Sequence, residues 1–173
     1  IPHDERKLGD SKIDGNFRFM NNEITVDTAL PPIRQVNGSL QFSGKDLRIP
    51  EINGQLFGGP LRVKGGVQKD GRVLISANGM ANIDALRKQS DLPGVAMLSG
   101  SAAYRGEVLI NKRNADLIVN SNLVGLASTL PEPFRKAAAE PLALRFEKKV
   151  LPGQSVRAGA KTEIVSRDQI ALS

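Results

Sequence analysis

The sequence predicts a mainly β protein: a long, curved antiparallel meander that forms an open groove, with one or two short helices. Apolar residues and glycines alternate with polar residues over most of the chain, and this period of two places each set on one face of a strand. Turn-forming residues interrupt the alternation at short intervals, as consecutive antiparallel strands require. The 17 Gly and 10 Pro among 173 residues also disfavour a helical bundle.

The alternation is clearest in the central stretch 36–67. Leu40 and Phe42 alternate with polar residues, and Leu61 and Val63 later do the same. Turn signals at 43–46, 50–51 and 58–60 divide this stretch into short antiparallel strands. Such a sheet has one apolar face and one polar face.

Other stretches complete the meander. An Asn21-Asn22 pair is a tight-turn signal after the first strand. A short helix is predicted over 83–89, where Asn82 can cap the first turn, and its small apolar side could plug one end of a sheet but could not cover it. Further strands are predicted around 13–20, 72–79, 97–110, 115–120 and 142–146, and near Val156, Ile164 and Ile170.

Two stretches are related as a degenerate repeat. VNGSLQFSGKDLRI begins at Val36 and LSGSAAYRGEVLI begins at Leu98, and they share the order apolar, Gly-Ser, aromatic, Gly. We therefore interpret residues 1–173 as a single β-groove segment with repeats near 13–79 and 97–173. The chain starts with Ile1 rather than Met and ends within an alternating pattern, so we expect an excerpt from a longer protein.

The segment 125–141 does not alternate, and we predict a loop or helix insertion there. Pro133 suits the first position of a helix and Pro141 would end it. Two interpretations remain open: a movable cover or side gate, and a static plug over the sheet edge. The residues that would form either one are Leu126, Leu130, Pro131, Pro133 and Phe134.

The composition argues against several functions. The net charge of +6 is spread singly over strands rather than gathered in a basic stripe, so nucleic acid is not an expected partner. A solvated sheet face is the favoured interpretation of this charge, and attraction to anionic lipid headgroups stays open. The chain has no Cys and a single His, His3, so we expect no metal site, no cofactor and no serine triad. No stretch approaches the ~20 apolar residues of a membrane helix. An enzyme is therefore not expected.

An apolar face this large must be covered by something, because soluble proteins rarely leave one bare. The sheet could fold into a sandwich, close as a barrel, or remain a trough that a ligand covers. The trough is favoured because the chain contains a repeat and is expected to be an excerpt from a longer protein. Its first and last strands would be unpaired and could join two copies edge to edge. The residues predicted to line it are Phe17, Phe19, Leu40, Phe42, Leu56, Val63, Ile75, Tyr104, Ile110, Val119, Leu144 and Phe146.

The stretch GSLQFSGKDLRIPEINGQLFGGPLRVKGG resembles the repeat of the AsmA-like superfamily. The later stretch is closer to the YhdP branch, where the signature SxLxGLxxxLPxPxxK precedes a Pro-Leu strand. Phe134-Arg135 stands where the signature is expected to have Leu-Gly. The matching residues are Ser121, Leu123, Gly125, Leu126, Leu130, Pro131, Pro133 and Lys136, followed by Pro141 and Leu142.

The resemblance implies a bridge-like lipid transfer protein of the Gram-negative envelope, anchored in the inner membrane by a helix outside this sequence. Its groove would cross the periplasm, hold phospholipid acyl chains, continue into the rest of the same chain, and connect inner and outer membranes. The implied function is phospholipid movement that supports outer-membrane integrity. The alternative is a structural or protein-interaction β-sandwich with a dry core and no lipid.

Overall fold

The computed structural model describes residues 14–26, 31–89, 94–112, 114–150 and 167–172. Within them, one α-helix, α1 (Ile83–Gln89), and a 3₁₀ turn (Val95–Met97) accompany ten strands. The mainly β prediction is confirmed. The strands are β1 (Asp14–Ile24), β2 (Ile33–Ser43), β3 (Asp46–Leu56), β4 (Gly59–Val67), β5 (Val73–Asn82), β6 (Leu98–Asn111), β7 (Asn114–Ser121), β8 (Leu126–Ser128), β9 (Leu144–Val150) and β10 (Arg167–Leu172).

The strands form one open antiparallel meander. The order across the sheet follows the chain, β1-β2-β3-β4-β5-β6-β7-β9-β10, while β8 pairs separately with the beginning of β6. β1 and β10 lie at opposite ends of this order, so the expectation that the first and last strands do not pair is confirmed. The strands predicted near Val156 and Ile164 lie outside the described residues.

The strand register separates the side chains into two faces, because directly opposite residues in an antiparallel pair point to the same side. Val63 of β4 lies opposite Ala77 of β5, whereas its neighbour Lys64 lies opposite Ser76. We call the face that carries Val63 the apolar face and the face that carries Lys64 the polar face.

The polar face carries most of the charged residues, several of them in exposed ion pairs, together with the half-buried Leu74, Leu109 and Ile118. Glu51 contacts Lys64 at 3.0 Å, and the hydrogen bond from Lys64 is the main cause of the lowered pKa of the Glu51 carboxyl. Exposed pairs of this kind contribute little stability. From β2 to β9, one transverse row on this face consists of amide and guanidinium side chains: Asn37, Asn53, Arg62, Asn78, Arg105, Asn120 and Arg145.

Two predicted turns are β-bulges, and the predicted breaks there are wrong. β1 continues through Asn21, which has φ 56°, and its register with β2 shifts between Phe19 and Asn22. β3 likewise continues through Pro50, with a register shift between Ile49 and Ile52. Asn at positive φ and Pro without an N–H suit a bulge as well as a turn, so the strands are longer than predicted.

The helix predicted to begin at Pro133 is also wrong, because the described segment 125–141 contains β8 and turns. Its backbone groups bond to distant residues rather than four positions back. The Gly125 N–H donates to the Ala138 carbonyl at 2.7 Å, and Ser128 and Lys136 exchange two hydrogen bonds of 3.0 and 3.1 Å. These long-range bonds replace the i to i−4 bonds of a helix.

α1 forms as predicted and packs over one end of the sheet. The Asn82 side chain accepts a hydrogen bond from the Ala85 N–H at 3.0 Å, which caps the first turn. The buried residues around α1 form what we call the end cluster: Ile83, Leu86, Val95, Ala102 and Leu126. In the described part of the chain, no helix is long and apolar enough to cross a membrane.

Candidate functional site: the apolar face

The register places every predicted groove residue on the apolar face. In β1 and β2, Phe17 lies opposite Leu40, and in β7 and β9, Val119 lies opposite Phe146. The pairings between these strands carry the same face across the sheet. The residues that the register brings together are Phe17, Phe19, Leu40, Phe42, Leu56, Val63, Ile75, Tyr104, Ile110, Val119, Leu144 and Phe146.

Most of the apolar face has no covering layer in the described residues. Phe17 and Phe42 are 53% and 37% exposed, and the other predicted groove residues are half-buried. In a β-sandwich a second sheet would bury such residues about 10 Å away. The described strands of this chain form one connected sheet, so they provide no second sheet to do so.

The apolar face is also nearly free of charge. Between β1 and β9, the described register positions on this face are apolar residues or glycines, apart from Asn22, Ser121, the Tyr104 hydroxyl and Lys148. Lys148 is the one charged residue among them, and the register places it between Leu117 of β7 and Asp168 of β10. The path from β1 to β9 involves seven strand spacings, which gives an apolar strip ~33 Å across the strands.

Aromatic rings on this face lie over glycines of the neighbouring strand. A Cβ added at Gly79 would lie 2.4 Å from the Tyr104 ring, and one added at Gly15 would lie 2.2 Å from the Phe42 ring. Each aromatic residue is the direct register partner of its glycine. The glycines therefore leave room for rings that cover the backbone, as aromatic residues do opposite glycines in other sheets.

Tyr104 brings a polar atom into this apolar setting. Its hydroxyl is buried and has no hydrogen-bond partner among the described residues, and its ring packs edge-on against Phe57 with centroids 5.7 Å apart. Burial raises the pKa of Tyr104 to about 12. The cause is desolvation, which disfavours the charged phenolate.

We therefore expect Tyr104 to titrate near pH 12 in the folded chain and near its ordinary value of about 10 after unfolding. Because the unfolded chain loses this proton first, the contribution to stability falls as pH rises from about 10 to about 12. The chain has a single Tyr and no Trp, so tyrosinate absorbance reports this group alone. Tyr104→Phe should remove the transition, and a folded midpoint near 10 would contradict the burial.

In the structure, some of the predicted cover residues are packed against the sheet and others are exposed. Leu126 belongs to the end cluster, and Leu130 is half-buried. Pro131, Pro133 and Phe134 are exposed, with Phe134 at 44%. Only the beginning of the segment therefore packs against the apolar face, at its α1 end.

Lys136 is a buried cation whose role the sequence did not reveal. Its side chain is 7% exposed, and Nζ donates to the carbonyl oxygens of Leu123, Leu126 and Ala137. Three acceptors match the three donors of an ammonium group. Gly125 of the same signature has φ 94°, and a Cβ there would lie 2.3 Å from the Ser101 carbonyl oxygen. Lys136 and Gly125, two residues of the signature, therefore hold the backbone of segment 125–141 in place.

Comparison with known proteins extends this picture. The family model described as YhdP protein matches residues 1–171. The chain is 26% identical over 140 residues to the "Intermembrane phospholipid transporter YhdP" of Escherichia coli (strain K12). That alignment covers 77% of this chain and 11% of the relative, so the chain spans about a tenth of the relative's length. No solved structure matches the chain significantly.

Proposed function

Because this chain belongs to the YhdP family, we propose that it is a segment of a hydrophobic groove that carries phospholipids between inner and outer membranes. The observation that carries this proposal is the uncovered apolar face, which runs from β1 to β9 with Lys148 as its one described charge. The name of the E. coli relative, a phospholipid transporter, supplies the ligand class. In the longer protein the segment would lie in the periplasm and support outer-membrane integrity.

The energetics favour such a surface. Two acyl chains carry roughly 30 methylenes at about 0.8 kcal/mol each, so bare passage through water costs on the order of 20 kcal/mol. An aliphatic floor lowers that barrier by covering one side of the chains. Contacts of this kind are non-directional, so a lipid can slide along the face and leave it without breaking a specific bond.

The dimensions are also suitable. The 8 residues of β7 span ~26 Å, which is the length scale of one acyl chain, if the chains lie along the strands. Lipids would then move across the strands, along the ~33 Å strip. Within the described residues, β1 and β10 each pair on one side only. Their other sides would join neighbouring parts of the longer chain, and in the isolated chain they would favour an edge-to-edge dimer.

We assign segment 125–141 to a fixed plug rather than a moving gate. Lys136 and the Gly125–Ala138 bond hold it over the end cluster, and Pro131, Pro133 and Phe134 are exposed. A crosslink between this loop and β9 should then leave lipid passage unchanged. Loss of passage with the crosslink complete would instead indicate a gate.

The direct test is mass spectrometry of the chain purified from a Gram-negative host under native conditions. We expect co-purifying phospholipid that detergent exchange removes. A stable dimer that excludes lipid, with two apolar faces packed against each other, would support a structural or protein-interaction module instead.

A further inference from the structure

The ends of the strands form two long edges of the sheet, which are distinct from the edge strands β1 and β10. These two edges differ in how far the apolar face is covered. At one edge, α1 and β8 cover the face with the end cluster. At the opposite edge lie the hairpins β2–β3, β4–β5 and β6–β7, and no described element packs over the apolar face there. A polar group attached to acyl chains on this face therefore has an open path to water at the hairpin edge.

The apolar face reaches this edge without interruption. One transverse row, formed by Val67, Val73, Ile110 and Ala115, lies beside the β4–β5 and β6–β7 turns. All four residues are half-buried. Acyl chains could therefore extend to the point where the hairpins begin.

Each of these two turns carries an exposed lysine without a partner among the described residues. Lys69 lies in the β4–β5 turn, where the neighbouring Asp70 is already engaged by Arg72 at 2.6 Å. Lys112 lies in the β6–β7 turn. The turns are separated by two strand spacings, about 10 Å, and a lysine is a compact cation on a flexible stem.

The rest of the edge is less basic toward β1. Lys45 of the β2–β3 turn lies next to Asp46, and the register places Asp14 and Asp46 on either side of Ser43. Toward β9, Lys148 lies on the apolar face, where the register places it opposite Asp168 of β10. The lysines of the β4–β5 and β6–β7 turns are therefore the ones at this edge with no unengaged carboxylate next to them in sequence.

We propose that Lys69 and Lys112 bind the phosphate groups of phospholipids whose acyl chains lie on the apolar face. This inference rests on the proposed function and adds to it the edge at which the headgroups emerge. Ammonium groups attract anionic lipid headgroups near a surface, and salt weakens that attraction. The lysines would guide headgroups along the edge, because exposed contacts of this kind hold a phosphate loosely.

The test measures binding of two fluorescent lipids with identical acyl chains to the purified chain. Phosphatidylglycerol carries a phosphate, and diacylglycerol does not. The double variant Lys69→Glu/Lys112→Glu should weaken phosphatidylglycerol binding about tenfold, with less effect at high salt, and leave diacylglycerol binding unchanged. The matched control Lys45→Glu/Lys88→Glu makes the same charge change beside the two aspartates and at the end of α1, and should alter the ratio of the two affinities far less.

The outcomes separate this inference from the proposed function. If the unmodified chain binds neither lipid, the proposed function fails, and the headgroup site fails with it. If both lipids bind and the two double variants behave alike, the lysine site alone is overturned. If the glutamate variant loses both lipids, Lys69→Gln/Lys112→Gln decides: a lower phosphatidylglycerol-to-diacylglycerol ratio supports the site, and an unchanged ratio overturns it. If inorganic phosphate alone displaces phosphatidylglycerol at millimolar concentration, the lysines bind phosphate without acyl chains, and a lipid site is contradicted.

Discussion

Replacement of Ile75 by Asp is expected to reduce phospholipid binding by about tenfold or more while the chain stays folded. Ile75 lies in the middle of the apolar face, opposite Gly65 of β4 and Val108 of β6. A carboxylate there would have to lose water whenever an acyl chain covers it, and an uncompensated polar group costs roughly 2–7 kcal/mol to desolvate. Since Ile75 is only half-buried without lipid, the folded chain can keep the new carboxylate hydrated.

Two matched variants isolate this effect. Ser76→Asp adds the same charge one residue away on the polar face, where it lies opposite Lys64, and should bind lipid normally. Ile75→Ala removes packing without adding charge, and should lower binding only slightly. The measurements are lipid affinity and the melting temperature of each variant. Equal binding by Ile75→Asp and Ser76→Asp would argue against lipid on this face, and unfolding of Ile75→Asp alone would indicate a dry core.

The faces of the sheet could be predicted from the sequence because alternation survives most changes in strand length. Val63 and Lys64 fall on opposite faces wherever β4 begins, and the antiparallel register then passes this assignment to Ala77 and Ser76. The predicted groove residues therefore share one face even though the strands are longer than expected. Their role in lipid binding is a separate matter that only a lipid-binding experiment tests.

The breaks between strands were harder to predict, because turns and bulges use the same residues. Asn21 at positive φ would suit either, and only its pairing with β2 shows that β1 continues. Pro50 presents the same ambiguity in β3. Such pairings join residues far apart in sequence, so local patterns do not contain them.

Lys136 escaped prediction for a related reason. A lysine near three prolines is typical of a solvated loop, and its burial depends on carbonyl groups from Leu123 and Leu126, more than a helical turn away in sequence. The resemblance to the signature marked Lys136 as a matching position without indicating its contacts. The structure therefore gives that signature a physical basis: the loop closes around an ammonium group.

Replacement of Lys136 by Met should destabilise the plug strongly, by about 2–4 kcal/mol, because it leaves three carbonyl oxygens without their charged donor. The loss would first appear locally, as faster amide exchange at the Gly125 and Ser128 N–H groups, which bond across the loop.

The neighbouring Arg135→Met is the matched control, because Arg135 is exposed and the variant loses the same charge with little expected effect. Denaturant unfolding and hydrogen exchange of both variants provide the measurement. If the two variants lose the same stability, the buried ammonium does not hold the plug closed. If Lys136→Met opens the plug and also speeds lipid passage, the segment obstructs one end of the apolar face in the native chain.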